Sequence, residues 1–245
     1  MKKVLITSIC TLALTCLIGC SNSDSPTGPG LQADITQGTL QEHPNLQNQT
    51  LTSSDMDNFF ESCFGNSFSL EDLLETYDLS GLQKGLAKKS AVVSRDTTVF
   101  IDTTINGTSG SVSISATMKC KASGTDDDLT NISISLQNAT IVFNNFSMND
   151  SIYFAGQIVS TANFSMSEKS ISGSMKAKAG IRFNGLYKGQ FTMDLSAGIS
   201  GNPNSTSDPV ITGNLSMEVT SNGSSFTYSQ DLSDLENSLA KKSVK

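Results

Sequence analysis

The chain has 245 residues, 16 lysines and arginines against 23 aspartates and glutamates, a formal charge of −7, and no tryptophan. That acidic balance disfavours nucleic acid and anionic membrane surfaces as partners. A single histidine, His43, and the absence of C-x-x-C, P-loop and G-x-G-x-x-G patterns leave nucleophilic, zinc, nucleotide and dinucleotide chemistry without their usual residues. The expectation is a non-enzymatic protein with no cofactor and no metal.

Lys2 and Lys3 precede a largely apolar run, Val4 to Ile18, that is too short and wrongly flanked for a spanning helix and reads as a secretion signal. The run closes on Leu17, Ile18, Gly19 and Cys20 and turns polar at Ser21. This pattern resembles the lipobox of bacterial lipoproteins, a resemblance confined to residues 1–20. It implies a signal peptide over 1–19, cleavage before Cys20 and lipidation of the Cys20 thiol. Because Ser21 rather than an aspartate follows, it also implies placement at the outer membrane, on either its periplasmic or its surface side. The membrane is then a partner through the Cys20 acyl chains, each buried methylene contributing about 0.8 kcal/mol. Cleavage removes Lys2 and Lys3 and no acids, leaving a formal charge of −9.

Residues 20–50 hold most of the prolines and show no sustained periodicity, so they read as the lipidated cysteine followed by a flexible tether. A single α+β domain is expected over 51–245. Met56, Phe59, Phe60, Cys63 and Phe64 fall at helical spacing with Ser54 as a cap, and Leu70, Leu73, Leu74 and Tyr77 repeat the spacing behind Ser69. A third short segment carries Leu79, Leu82 and Leu86. The spacing therefore predicts helices over 54–89. DLSGLQKGLAKKS at 78–90 returns as DLSDLENSLAKKS at 231–243, which predicts a C-terminal helix over 231–242 with an apolar stripe like that of its counterpart.

From about residue 97 the period becomes two. Val112, Ile114, Ala116, Met118 and Cys120 alternate with polar residues, and the pattern recurs over 152–166, 171–183, 187–199 and 211–219. About nine antiparallel strands are predicted over 97–230, mainly β, in a meander sheet or barrel covered by the helices. Asn222-Gly223 fits a two-residue turn that sets Val219 opposite Phe226 and Met217 opposite Tyr228. Around Asn184-Gly185, parity calls instead for a three-residue loop, Asn184 to Leu186, which sets Phe183 opposite Tyr187 and Lys176 opposite Asp194. Glycines at the inward positions 156, 173, 189 and 213 predict strong curvature.

Three cysteines follow the cleavage point. With Cys20 assigned to lipid, Cys63 and Cys120 are left as a candidate disulfide or as two buried thiols on apolar faces. Asp126, Asp127 and Asp128 lack the remaining ligands of a calcium loop and read as a hairpin turn. Ser238 and Lys241 spell S-x-x-K without companion motifs. Ten N-x-S/T sequons reflect strand faces rich in Ser, Thr and Asn, and Lys176, Lys178, Arg182 and Lys188 form a basic cluster on such a face.

The inward face mixes small and flexible side chains, with Met118, Met166, Met175 and Met193 as candidate linings of an apolar cavity. Binding or carriage of a lipid-like ligand is the first functional expectation. The expected architecture is similar to that of LolB-like lipoprotein carriers, a likeness of fold class with no shared motif beyond the lipobox. The alternative is a structural or adhesive surface lipoprotein whose polar face meets a protein or a glycan; the scarcity of Trp and Tyr counts against it.

Overall fold

The computed structural model describes residues 31–56, 58–59, 93–124, 129–205 and 209–233. They form one sheet of eight strands, β1 (Val93–Asn106), β2 (Ser109–Gly124), β3 (Leu129–Ser147), β4 (Ile152–Ser167), β5 (Ile171–Gly185), β6 (Gly189–Gly201), β7 (Val210–Ser221) and β8 (Ser224–Asp231). Every strand pairs antiparallel with its neighbour in sequence, so spatial order equals chain order. The sheet is curled and unclosed, with β1 and β8 at its two edges. Of the expected meander sheet or barrel the open meander forms, and the described residues hold eight strands where about nine were expected.

The lower count has a physical basis in β3, which runs 19 residues because breaks in alternation do not end it. Its apolar positions read 132, 134 and 136, then 139, 141 and 143, then 146. Each change of parity coincides with a register shift against β4, between Leu136 and Ala139 and between Phe143 and Phe146. Two residues of β3 there face one on β4, the definition of a bulge. Asn138 (φ 51°) and Asn145 (φ 48°) occupy the left-handed region at these points, a conformation asparagine tolerates better than most side chains. The bulges return the next apolar residues to the same face, and they add local twist.

The turn at Asn222-Gly223 is as expected: both residues have positive φ, 46° and 85°, and Val219 faces Phe226 while Met217 faces Tyr228. The β5–β6 register differs from expectation by two residues. Phe183 faces Gly189 rather than Tyr187, and Asp194 faces Lys178 rather than Lys176. A two-residue slip preserves every side chain's face, so parity could not detect it. What sets the longer connection is Gln49, which bridges in parallel to Tyr187, its N–H donating to Leu186 O (2.8 Å) and its carbonyl accepting from Lys188 N (3.0 Å).

Gly156, one of the glycines expected at a bend, has φ 136°, and a Cβ there would lie 2.1 Å from Gly180 O. Only glycine permits that strand approach.

Residues Ser53–Asp55 form a 3-10 turn that continues helically at Met56, Asn58 and Phe59. Thr52, not Ser54, stands at its cap: the Asp55 carboxylate accepts from Thr52 N–H (3.1 Å) and Thr52 Oγ1 (2.6 Å). The rest of the helices expected over 54–89 and 231–242 lies outside the described residues.

Candidate functional site

Antiparallel register places side chains in rows that cross the strands, and one row on the apolar face defines the candidate site. Ile114, Ile141, Ile158, Ala179, Met193 and Met217 stand side by side on β2 to β7. At about 4.8 Å per strand this belt spans roughly 24 Å. Ile114, Ile141, Ile158 and Met193 are only half-buried, whereas Ala179 and Met217 are covered. The adjoining row is small over three strands, Ala139, Ser160 and Ala177, all buried. Large, partly exposed aliphatic side chains there stand beside small, covered ones.

Three packed clusters surround the belt. One, on β2 and β3, holds Ala116, Met118, Cys120, Ile132, Ile134, Leu136 and Ala139, with Phe164 and Met166 against it. A second brings Leu51, Met56 and Phe59 from the N-terminal segment onto Ile152, Phe183, Tyr187, Met217 and Val219. A third buries Met175, Ala177, Leu195 and Ala197 with Leu232, and Ile158 and Met193 touch its edge. The four methionines singled out in the sequence therefore share one face, yet they separate: Met118 and Met166 go with the first cluster, Met175 with the third, and Met193 packs against both the second and the third. Only Met193 stands in the belt itself. Ile114, Ile141 and Ile158 were not singled out, because their alignment across three strands becomes visible only once the β3 bulges fix the register.

Cys120 is buried in the first cluster. Cys63, its candidate disulfide partner, and Cys20, the candidate lipidation site, lie outside the described residues, as do Asp126, Asp127 and Asp128. Among the described residues no group of His, Cys, Asp and Glu is arranged to hold a metal.

The opposite, polar face carries a strap. Residues 34–49, read in the sequence as tether, are held against β3, β4 and β5. Asp34 N–H donates to Gln157 Oε1 (2.9 Å), Thr39 N–H to Asn144 Oδ1 (3.3 Å) and Gln41 N–H to Asn145 Oδ1 (3.0 Å). The second β3 bulge thus aims two asparagines at the strap. Gly38 (φ 65°) passes so close that a Cβ would lie 1.9 Å from Phe143 O. The His43 ring stacks on Tyr153 with centroids 3.6 Å apart and planes at 12°. The basic cluster is largely absorbed here: Arg182 Nη2 donates to the carbonyls of Thr36, Gln37 and Gly38 (3.3, 3.1 and 2.9 Å), and Lys188 pairs with Glu42 (3.2 Å). Lys178 pairs with Asp194 (2.7 Å).

The strap then crosses the end of the sheet. Asn222 Nδ2 donates to Asn48 O (3.0 Å), and Leu51 N–H donates to the buried Ser221 Oγ (2.7 Å), which itself donates to Lys188 O (2.6 Å). One continuous segment thereby clips both faces.

Tyr153 and Tyr187 are held above the usual phenol range, first by burial and then by the charges of Asp150 and Asp55 respectively. Asp34 is lowered by hydrogen bonds from Thr36 and Gln37, and Asp231 by those from Ser233. Of these groups only Tyr187 packs in a cluster that includes a belt residue, Met217, and the belt's chemistry is that of apolar burial. Comparison with protein-family models, with curated proteins and with solved structures gave no match in any of the three.

Proposed function

We propose that the protein is a bacterial envelope lipoprotein, anchored to the outer membrane through lipid on Cys20, that binds or carries an apolar, lipid-like ligand along the belt. The observation that supports the ligand is the belt itself. Four large aliphatic side chains stay half-buried in a row while the small residues beside them are covered. A ligand laid across β2 to β6 would complete their burial, each square ångström of apolar surface removed from water contributing about 25 cal/mol. Met193 gives the belt an adaptable wall. Met118, Met166 and Met175 support it from the flanking clusters. The N-terminal clip takes up the far end of the face with Leu51, Met56 and Phe59, which directs a ligand toward β2 to β6.

The test is organic extraction of the purified full protein followed by mass spectrometry. A stoichiometric apolar compound in the extract is the expected result; covalently attached acyl chains stay with the protein and do not confuse it. A clean extract together with no uptake of a fluorescent lipid would reject the ligand. The anchor is tested separately by metabolic labelling with palmitate, which Cys20→Ser should abolish.

A second reading, an adhesive or structural lipoprotein, draws on the polar face. There Ser133, Ser165, Ser172 and Ser200 form one row across β3 to β6 beyond the strap. A clean extract would direct the search for a protein or glycan partner to that row.

A further inference from the structure

The edge of the sheet at β1 carries an anomaly. Among the described residues β1 pairs only with β2, and on its polar face Phe100 is 78 % exposed, the most exposed large hydrophobic side chain described. Edge strands usually avoid such residues, because an open edge with an apolar side chain invites another strand. The strand has no proline and runs 14 residues. Of the carboxylates on that face, Asp96 is paired with Lys121 at 3.2 Å and Asp102 stands exposed.

We propose that β1 is a self-association edge: a second copy of the chain pairs its own β1 antiparallel to this one, with Phe100 facing Phe100 of the other copy. The sequence of the strand is complementary to itself in that register and in few others. Centred on Phe100, the pairing sets Val99 against Ile101, Thr97 against Thr103, Thr98 against Asp102 and Asp96 against Thr104. At Val99 and Ile101, which pack on the apolar face, that face then continues from one copy into the next. A one-residue slip turns that face toward water. Centring on Val99 instead sets Asp96 against Asp102, a like-charge pair that is destabilising when directly opposed. Centring on Ile101 sets Asp102 against Phe100 and Val99 against Thr103. The Phe100-centred register alone among these joins aromatic to aromatic and aliphatic to aliphatic with no carboxylates opposed, and aromatic cross-strand pairs contribute about 0.2–1 kcal/mol beyond alanine pairs. The occupant is thus a second copy, chosen by the strand's own charge and apolar pattern. The assembly does not depend on the apolar ligand.

Cysteine cross-linking in the full-length protein tests both the partner and the register. Residues directly opposite have Cβ atoms about 4.5–5.5 Å apart, within reach of a disulfide or a short thiol cross-linker. Phe100→Cys alone should cross-link to a dimer, with the linked peptide carrying position 100 from both copies. Thr98→Cys and Asp102→Cys should each fail alone, since each faces the other's position, and should cross-link when the two variants are co-expressed. Adding Phe100→Lys to that co-expressed pair should abolish the product while leaving the melting temperature at low protein concentration unchanged, because Phe100 makes little contact within its own copy. Absence of the Phe100→Cys dimer overturns the proposal. So does a dimer linking position 100 to another strand such as β8, or a Thr98→Cys product formed without its complement.

Discussion

The rings of Phe59 and Phe183 meet with centroids 5.0 Å apart and planes tilted by 54°, joining the segment that follows the clip to the end of β5. Phe59 also lies edge-on to Phe154 and Tyr187, and both it and Phe183 are almost fully buried. Truncating such a side chain removes its burial and leaves a cavity, so Phe59→Ala should cost about 3–5 kcal/mol. Phe100→Ala, on the exposed edge, should change the stability of the single copy by no more than about 0.5 kcal/mol. Urea denaturation of the two variants at low protein concentration checks the contrast. Equal midpoints would mean that the N-terminal segment does not pack on the sheet in solution.

The two β3 bulges predict different consequences for the same substitution. Asn138 and Asn145 both have positive φ, where glycine is at no steric disadvantage. Asn138 is exposed, so Asn138→Gly should be close to neutral. Asn145 in addition accepts a hydrogen bond from Gln41 N–H and lies 3.3 Å from His43 Nε2. Asn145→Gly keeps the backbone and loses these partners, and the strap should loosen. Amide hydrogen exchange at Gln41 is the measurement: faster by roughly five-fold in Asn145→Gly, corresponding to one hydrogen bond of about 1 kcal/mol, and unchanged in Asn138→Gly.

Which parts of this architecture were legible in the sequence follows from how local their causes are. The β7–β8 hairpin was readable because Asn222-Gly223 dictates turn type and register within four residues. The β5–β6 register was not. The step from a three-residue loop to the longer one keeps parity, and its cause is Gln49, more than 130 residues away in the chain. The strap was unreadable for a related reason. It has no hydrophobic period, and its hold consists of main-chain groups meeting Asn144, Asn145, Arg182 and Asn184, the last donating to Gln41 O at 2.6 Å. The broken alternation at Gln137-Asn138 and Asn144-Asn145 was the available signal for the bulges. The belt was half legible: Met193 and the small residues stood out by composition, while Ile114, Ile141 and Ile158 needed the register to be seen as one row.

Arg182 concentrates the strap's hold in a single side chain. One Nη2, with two N–H groups, is shared among three successive carbonyls. Arg182→Met should lose all of the interaction, and Arg182→Lys, which keeps a charged donor nitrogen, only part of it. Hydrogen bonds to a charged group contribute about 1.5–3 kcal/mol each in net terms, less where solvent screens them. Exchange at Gly38, Thr39 and Gln41 should speed up by at least roughly ten-fold in Arg182→Met and by less in Arg182→Lys, with the β6–β7 amides unaffected as an internal reference. Uniform acceleration across the sheet would instead make Arg182 a determinant of global stability.

The same strap supplies the protein's pH response, and its direction follows from two tyrosines. Tyr153, under the His43 ring, and Tyr187, beside Gln49, both have their phenols raised above the ordinary phenol value of 10.0, burial being the larger cause in each. Below pH 10 these groups are protonated whether the chain is folded or not, and they exert no pull. As pH climbs past 10, the unfolded chain releases their protons while the folded chain retains them. The unfolded state is thereby favoured, and stability falls until the folded phenols titrate in turn. Asp34 and Asp231 act in the opposite sense at the acid end. Their lowered carboxyls support the fold above 3.8 and lose that support as pH falls through their folded values, but both are fully exposed and their effect is small. Denaturation midpoints measured from about pH 8 to about pH 11 should therefore decline, and Tyr153→Phe combined with Tyr187→Phe should flatten the decline. A decline that persists undiminished in the double variant would assign the alkaline sensitivity to groups other than these two tyrosines.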